Sequence, residues 1–393
     1  MGAADWPQIL GPTRNGVAAE GEVAPVAWGA LGPKFHWEIS IGRGFAGVAA
    51  ADKKAYLFHR VEDEEVTSAL DIATGKTLWS SKSPVRYVSS ISSDDGPRCV
   101  PTIVGDKLVV FGVAGNLRCL ERATGRELWS RETWRDYRAP EGYFGAGSTP
   151  LVHDGRVIVN VGGPKGAGVV AFALSDGKTL WQSGDDLASY STPVVMKVGG
   201  QERIVVVARL HCLLLDPASG KELARLPFGA RGPTVNAATP LVLDDKLFLT
   251  ASYGVGATLV KVSDTKLEPA WSSDELLSSQ YTTPVAHKGL LFGLHGRQDV
   301  GSAELRCVDP VNQKVLWSEP RFGAGHLILV GDSILTITTD GKLTLLRASG
   351  EKYEKLAQAT LTQDTVQALP AYSNGLLLFR DTGKLYCFDL SKK

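Results

Sequence analysis

The stretch Ala69-Leu70-Asp71-Ile72-Ala73-Thr74-Gly75-Lys76-Thr77-Leu78-Trp79 returns along the chain with its turn residues and closing aromatic in register. It reads as the end of one strand, a tight turn, and the start of the next. Asp71 and Thr74 can hydrogen-bond the turn backbone, and Gly75 supplies the positive φ such a turn needs. Further copies run from Cys119 to Trp129, Ala171 to Trp181, Leu214 to Ala224 and Cys307 to Trp317. A supersecondary unit repeated at this interval constrains the architecture before any single residue is given a role.

The intervals between Trp79, Trp129 and Trp181 are 50 and 52 residues, and Trp271 to Trp317 is 46. Each unit opens with a short apolar strand, often preceded by Thr-Pro or a relative of it. The openings are 46–50, 101–104, 149–152, 192–195, 239–243, 283–286, 326–330 and 369–372. Turns such as Asp154-Gly155, Asp244-Asp245, Lys288-Gly289 and Asn374-Gly375 lead into second strands, for example 107–111, 156–161, 204–208, 246–251 and 376–380. The third strand enters the Asp-x-x-Thr-Gly turn and the fourth carries the tryptophan. Four short strands at this period predict propeller blades rather than a solenoid or a sandwich. The expected fold class is all-β, an eight-bladed β-propeller of four-stranded blades.

The ends of the chain predict how the ring closes. The last unit stops after Cys387-Phe388-Asp389 with its fourth strand missing, and Trp37 sits on a lone strand near the start. The N-terminal strand is therefore expected to complete the C-terminal blade. Residues 1–34 read as an extended segment packing on the propeller, and 35–393 as a single propeller domain. The segment from Trp6 to Gly16 can cover a face or the channel mouth, or wrap the outside.

Composition narrows the function classes. The 42 basic and 42 acidic side chains cancel, which argues against a general polyanion binder and so against nucleic acid. No apolar run approaches the roughly 18–20 residues that span a bilayer. Cys99, Cys119, Cys212, Cys307 and Cys387 include no adjacent pair and no CxxC. Three of them take the slot before the turn that Ala69 and Ala171 occupy elsewhere, so they read as buried free thiols acting as small apolar residues. Ala3-Ala4-Asp5 fits the sequel of a removed signal peptide, and the expected location is exported, periplasmic or extracellular. The expected state is a monomer.

With these residues in view, the repeat resembles the tryptophan-docking motif of PQQ-like (pyrroloquinoline quinone) eight-bladed propellers, a group that includes quinoprotein alcohol dehydrogenases and BamB-type outer-membrane assembly lipoproteins. The resemblance covers residues 37–393. The opening Trp6-Pro7-Gln8, Gly11-Pro12 and Asn15-Gly16 is also similar to the start of secreted PQQ-like propeller proteins. In the enzymes of this group the resemblance implies PQQ held between an aromatic ring and an adjacent-cysteine disulfide, with Ca²⁺ or a lanthanide and an Asp base. This sequence has no adjacent cysteines, and the metal-ligand set finds no residue-by-residue match. The anchoring cysteine implied by BamB-type proteins is not present in Ala3-Ala4-Asp5.

In this strand order the first-to-second and third-to-fourth turns share one face, and they are short. The long loops 82–98, 132–147, 274–280 and 293–302 fall on the other, where a rigid scaffold usually carries its sites. The candidate ligand-binding residues there are Arg60, Arg98, Tyr143, Arg209, Arg231, Tyr253, His295, Arg297, His326 and Arg380. Convergent arginines and tyrosines suit a carboxylate, sulfate or sugar-acid ligand through forked hydrogen bonds. The same arginines equally suit surface pairs with Glu62, Asp94, Asp95, Asp136, Glu141, Asp299 and Asp381. His59, His211, His295 and His326 come from different units with no metal-ligand spacing, so no metal site is expected. GxSxG, P-loop and HExxH motifs are absent. The expected function is a non-catalytic binding or scaffold module for a protein or glycan partner, or an anionic small molecule, on the long-loop face. The alternatives are a PQQ- and Ca²⁺-dependent quinoprotein oxidoreductase, and a carbohydrate-active enzyme using Tyr, His and Arg groups.

Overall fold

Each repeat unit folds into one four-stranded antiparallel sheet in the computed structural model, which describes residues 4–232 and 235–392. Ala3 of the small-residue run at the start lies outside the described residues. Eight such sheets form, and the chain is an all-β propeller. Blades 1 to 7 span 49–84, 102–132, 151–183, 194–227, 241–273, 285–319 and 325–360. Blade 8 takes three strands from 371–389 and its fourth from Lys34–Ser40, which pairs antiparallel with Lys384–Asp389 and sets Trp37 opposite Cys387. Ring closure therefore follows the reading of the termini. The one helix among the described residues is Thr133–Tyr137, inside what reads in the sequence as a plain loop, and no helix is long and apolar enough to cross a membrane.

The inner strands begin later than their apolar runs suggest. They start at Thr102, Leu151, Val194, Leu241, Val285 and Ala371, each just after a proline. Proline has no N–H for the ladder, so pairing starts beyond it. The threonines before these prolines spend their hydroxyls between blades instead. Thr149 Oγ1 accepts from the Val100 N–H at 3.1 Å and Thr283 Oγ1 from the Thr239 N–H at 2.9 Å.

The outer strands lock neighbouring blades together. Trp79, Trp129, Trp181 and Trp317 sit opposite Ala69, Cys119, Ala171 and Cys307, each beside a β-bulge. Each indole N–H donates to a carbonyl in the next blade's turn: Trp37 to Ile72 (2.8 Å), Trp79 to Arg122 (3.1 Å), Trp129 to Leu174 (3.0 Å) and Trp181 to Pro217 (3.1 Å). Trp271 and Trp317 do the same to Pro310 and Ser349. The ring lies on the turn glycine so closely that a Cβ on Gly125 or Gly220 would stand 2.4 Å from indole carbon. Both glycines also have positive φ, +75° and +71°. The turn is held shut by its own acid, since Asp71 Oδ1 accepts from the Thr74 N–H and hydroxyl at 2.9 and 2.7 Å. All five cysteines are buried and unpaired.

Two junctions lack the tryptophan. Blade 4 has Ala224 opposite Leu214, and there Met196, Leu226, Leu247 and Leu267 form a shared apolar cluster. Blade 7 has Ala357, and Trp28 of the N-terminal segment joins it in one cluster with Phe388 and Leu390.

Removing an inter-blade indole should cost far more than its exposed edge suggests. Trp181→Ala is expected to lower the unfolding free energy by about 3–5 kcal/mol, and Gly220→Ala to destabilise as well. Urea or thermal unfolding of the purified variants measures both. A Trp181→Ala protein as stable as the parent would show that the lock is not a main source of stability.

Candidate functional site

The residue three positions before each inner-strand proline lines one cavity on the ring axis. These residues are Arg98, Gly147, Tyr190, Ala237, Tyr281 and Gln367, ahead of Pro101, Pro150, Pro193, Pro240, Pro284 and Pro370. Phe45, from the loop entering blade 1, and His326, on the inner strand of blade 7, also line it. Phe144, Gln280 and Gln298 reach in from the long loops and Tyr253 from the short turn between Lys246–Ala251 and Gly256–Ser263, and the cavity has a volume of about 390 Å³.

Ile9 and Leu10 of the N-terminal segment also line the cavity. That segment turns rather than running extended: residues 8–14 form successive turns, with Leu10 at φ +58° and Gly11 at φ +79°. It covers the open inner edges of the ring. Trp6 exchanges two 2.8 Å hydrogen bonds with Ala50, the Ile103 N–H donates to the Pro7 carbonyl, and Leu329 pairs with Gly16 and Ala18. Arg14 anchors it from the centre. Its guanidinium donates to the carbonyls of Thr149 (2.9 Å) and Pro150 (3.0 Å) and to Gln8 Oε1 (3.0 Å). Burial pushes this guanidinium down to about 9.

The cavity wall is aromatic and nearly uncharged. No carboxylate among the described residues lines it. Arg98 donates to the carbonyls of Gly96 and of Asp94 (2.9 Å) and lies 5.3 Å from the centre of the Phe45 ring. His326 holds the Gln367 carbonyl at 3.0 Å, and burial pushes it down to about 4, so it is neutral. Burial likewise pushes the phenols of Tyr190 and Tyr281 up to about 12. A chain of side-chain bonds stiffens one wall: Tyr281 Oη donates to Gln298 Oε1 (3.0 Å), and Gln280 Nε2 donates to Tyr253 Oη (2.7 Å). Tyr253 stands at φ +62°, a region a bulky residue rarely enters, and Arg297 lies 4.2 Å from its ring centre.

A second cleft of about 480 Å³ adjoins the cavity and shares Gly147, Tyr190 and Val235 with it. Trp134, Glu141, Tyr143, Asn160, Ser189 and Arg209 also line it. Asn160 is 2% exposed, its Oδ1 has no hydrogen-bond partner among the described residues, and its Nδ2 is 3.4 Å from Ser189 Oγ. A more open depression of about 500 Å³ lies on the opposite face, but there Lys288 and His287 both engage Asp332 at 2.8 Å and the charges satisfy each other.

The ten residues singled out from the sequence fall into five places. Arg98, Tyr253 and His326 line the central cavity. Tyr143 and Arg209 line the side cleft, where the Arg209 guanidinium lies 5.5 Å from the Tyr143 ring centre and donates to the Gly232 carbonyl. His295 and Arg297 share an outer groove with Tyr253; His295 Nδ1 accepts from the Ser278 N–H at 3.0 Å, and Arg297 is paired with Asp299. Burial, helped by the charge of Arg306, holds His295 below its ordinary value. Arg60 and Arg380 are buried in the scaffold. Arg60 donates to the carbonyls of Glu62, Tyr87 and Asp95, and Arg380 to that of Gly42. Arg231 is exposed on its loop. Phe45, Phe144, Asn160 and the three glutamines did not stand out in the sequence. The spacing to proline would have found Gln367, because that position faces the axis in blade after blade.

A quinone paired with a divalent ion needs anionic oxygens for the ion. Among the described residues the cavity offers none, and no three His, Cys, Asp or Glu side chains are placed to hold a metal. The donor set does not fit that pair.

A family profile described as outer membrane protein assembly factor BamB matches residues 62–319. The chain belongs to this BamB-type propeller family. It is similar to BamB from Burkholderia pseudomallei (strain K96243), at 27% identity over 48% of this chain and 45% of the relative. It is also similar to the quinohemoprotein alcohol dehydrogenase ADH IIB of Pseudomonas putida, at 32% identity over 32% of this chain and 19% of the relative. The chain thus spans less than half the length of either. Among solved structures, a europium-containing methanol dehydrogenase shares the fold, with a TM-score of 0.73 at 12% identity, covering 99% of this chain and 98% of that one. For this member of the BamB family, then, fold and family are set, and function rests on the local chemistry of the long-loop face.

One buried carboxyl on this side makes a titration test. Glu65 is 2% exposed and accepts the Val113 N–H at 2.7 Å; burial pushes it up to about 7. Between pH about 4.5 and about 7 the unfolded chain has released this proton while the folded chain keeps it, so stability falls as pH rises through that window. Glu65→Gln keeps an oxygen for Val113 and is expected to flatten that slope, gaining roughly 1–3 kcal/mol relative to the parent above pH 7. Denaturant melts from pH 4 to 8 measure it. Parallel profiles for both proteins would contradict the assignment.

Proposed function

We propose that the chain is an exported, non-catalytic binding module that engages a macromolecular partner, protein or glycan, through its long-loop face. The observation that carries this reading is a set of exposed apolar side chains beside the two concavities: Leu187 (49% exposed) and Tyr143 (43%) line the cleft, and Val88 (81%) and Ile91 (55%) lie on the loop whose Ser90 and Ser92 line the cleft and the cavity. Exposed apolar side chains grouped around a concavity are the usual mark of an interaction site. The opposite face has its turns committed to the inter-blade indoles. The assembly-factor description of the BamB relatives is in keeping with a partner-binding role and with a location outside the cytoplasm.

The chemistry of the cavity supports binding over turnover. Its histidine is neutral and tied to a backbone carbonyl, its phenols hold their protons, and among the described residues it has no carboxylate to move one.

Two measurements test the proposal. Incubation with PQQ and Ca²⁺ is expected to give no stoichiometric quinone uptake and no dye reduction with alcohols; turnover would overturn the reading. A Val88→Glu/Ile91→Glu double variant is expected to melt like the parent and to lose the component that the immobilised parent chain retains from an extract of its source. Undiminished retention by that variant would remove this loop from the binding surface.

A further inference from the structure

We propose that the central cavity and the cleft beside it form one site for a neutral oligosaccharide, with one sugar ring in the aromatic cavity and the next against Asn160. This deepens the preceding reading and rests on the long-loop face being the binding face.

The two concavities are contiguous, since Tyr190 belongs to the walls of both. A sugar ring has an apolar C–H face and a hydroxyl edge, and each half of the site offers a complement to both. In the cavity, the Phe144, Tyr190 and Tyr281 rings provide apolar faces. The amides answer the hydroxyl edge. Gln298 commits its Oε1 to Tyr281, and its amino group has no partner among the described residues. Gln367 lines the same space. Tyr190 accepts the Phe144 N–H at 2.7 Å, which leaves its own proton to donate. In the cleft, Asn160 Oδ1 is a buried acceptor without a donor. A buried acceptor left unmatched is costly, and a sugar hydroxyl is a donor of the right size to satisfy it.

The competing occupants fit less well. An apolar side chain of a protein partner would strip water from these amides and from the Tyr190 hydroxyl and return no hydrogen bond. An anion would find two formal cations among the described residues of the joined site, Arg98 and Arg209, whose guanidiniums already donate to the carbonyls of Gly96 and Asp94 and of Gly232, and in the cleft it would meet the carboxylate of Glu141. A cavity of about 390 Å³ is within the range that encloses a small ligand.

The experiment probes the full chain on an array of neutral and acidic oligosaccharides and on a peptide array, followed by calorimetry with the oligosaccharides retained. Trp134 in the cleft wall gives an independent fluorescence readout. Saturable binding of neutral oligosaccharides is expected, weakened about fivefold in each of Gln298→Leu and Gln367→Leu, and unchanged in Val311→Glu on the opposite face. Asn160→Leu is expected to weaken two-ring ligands and to spare single sugars. Gln298 is exposed, so its substitution tests the site even where the buried Asn160 variant folds poorly. Retention of peptides only, of acidic glycans only, or of nothing on either array overturns the proposal. If the arrays stay blank while the Val88→Glu/Ile91→Glu variant still loses its extract partner, the oligosaccharide site fails and the binding face stands.

Discussion

The tertiary structure depends on an indole laid over a glycine. An outer-strand tryptophan of one blade covers the turn of the next and donates its N–H to a carbonyl there, from Trp37 of blade 8 against blade 1 through Trp317 of blade 6 against blade 7. Only glycine permits the approach, because a Cβ at Gly125 or Gly220 would overlap the ring. Aromatic burial and one satisfied donor are thereby gained at each junction without an extra strand. Where the tryptophan is replaced by Ala224, aliphatic side chains fill the seam. At Ala357 the N-terminal segment contributes Trp28. The N-terminal part of the chain also supplies blade 8's outer strand and pairs with the inner strands of other blades.

This arrangement divides the two faces. Turns on one face are committed to receiving indoles, and their Asp, Thr and Gly side chains serve that task. Loops on the other face carry no such duty. Their sequences differ from unit to unit, and in six units a proline delays the inner strand and the residue three positions before it lines the cavity. Binding chemistry can vary there without weakening the locks. A ring built this way suits many functions, which is why a shared fold with a methanol dehydrogenase carries no argument about catalysis here.

The repeats, the number of blades, the buried thiols and the ring closure were all legible in the residues, because each rests on short-range pattern: a turn that needs glycine, an aromatic at fixed spacing, a strand missing from one end and spare at the other. The site was only half legible. Arg60, Arg98 and Arg380 look alike in sequence, yet Arg60 and Arg380 bind backbone carbonyls inside the scaffold while Arg98 borders the cavity. A long side chain at a strand end can turn inward or outward, and the choice depends on carbonyls presented by other blades. Glutamines carry even less signal. Gln280, Gln298 and Gln367 acquire meaning only because three different loops bring them to one wall.

By itself, then, the sequence determined the unit, its count and its closure, since period, turn chemistry and strand pairing are local properties of the chain. What only the tertiary structure decided is which side chains share a space. Tyr190 and Gln367 are 177 positions apart and border one cavity. Asn160 Oδ1 has no partner among the described residues, and the neighbouring Ser189 hydroxyl donates to the Val207 carbonyl instead. Such convergence is a consequence of closing the ring, and no local pattern encodes it.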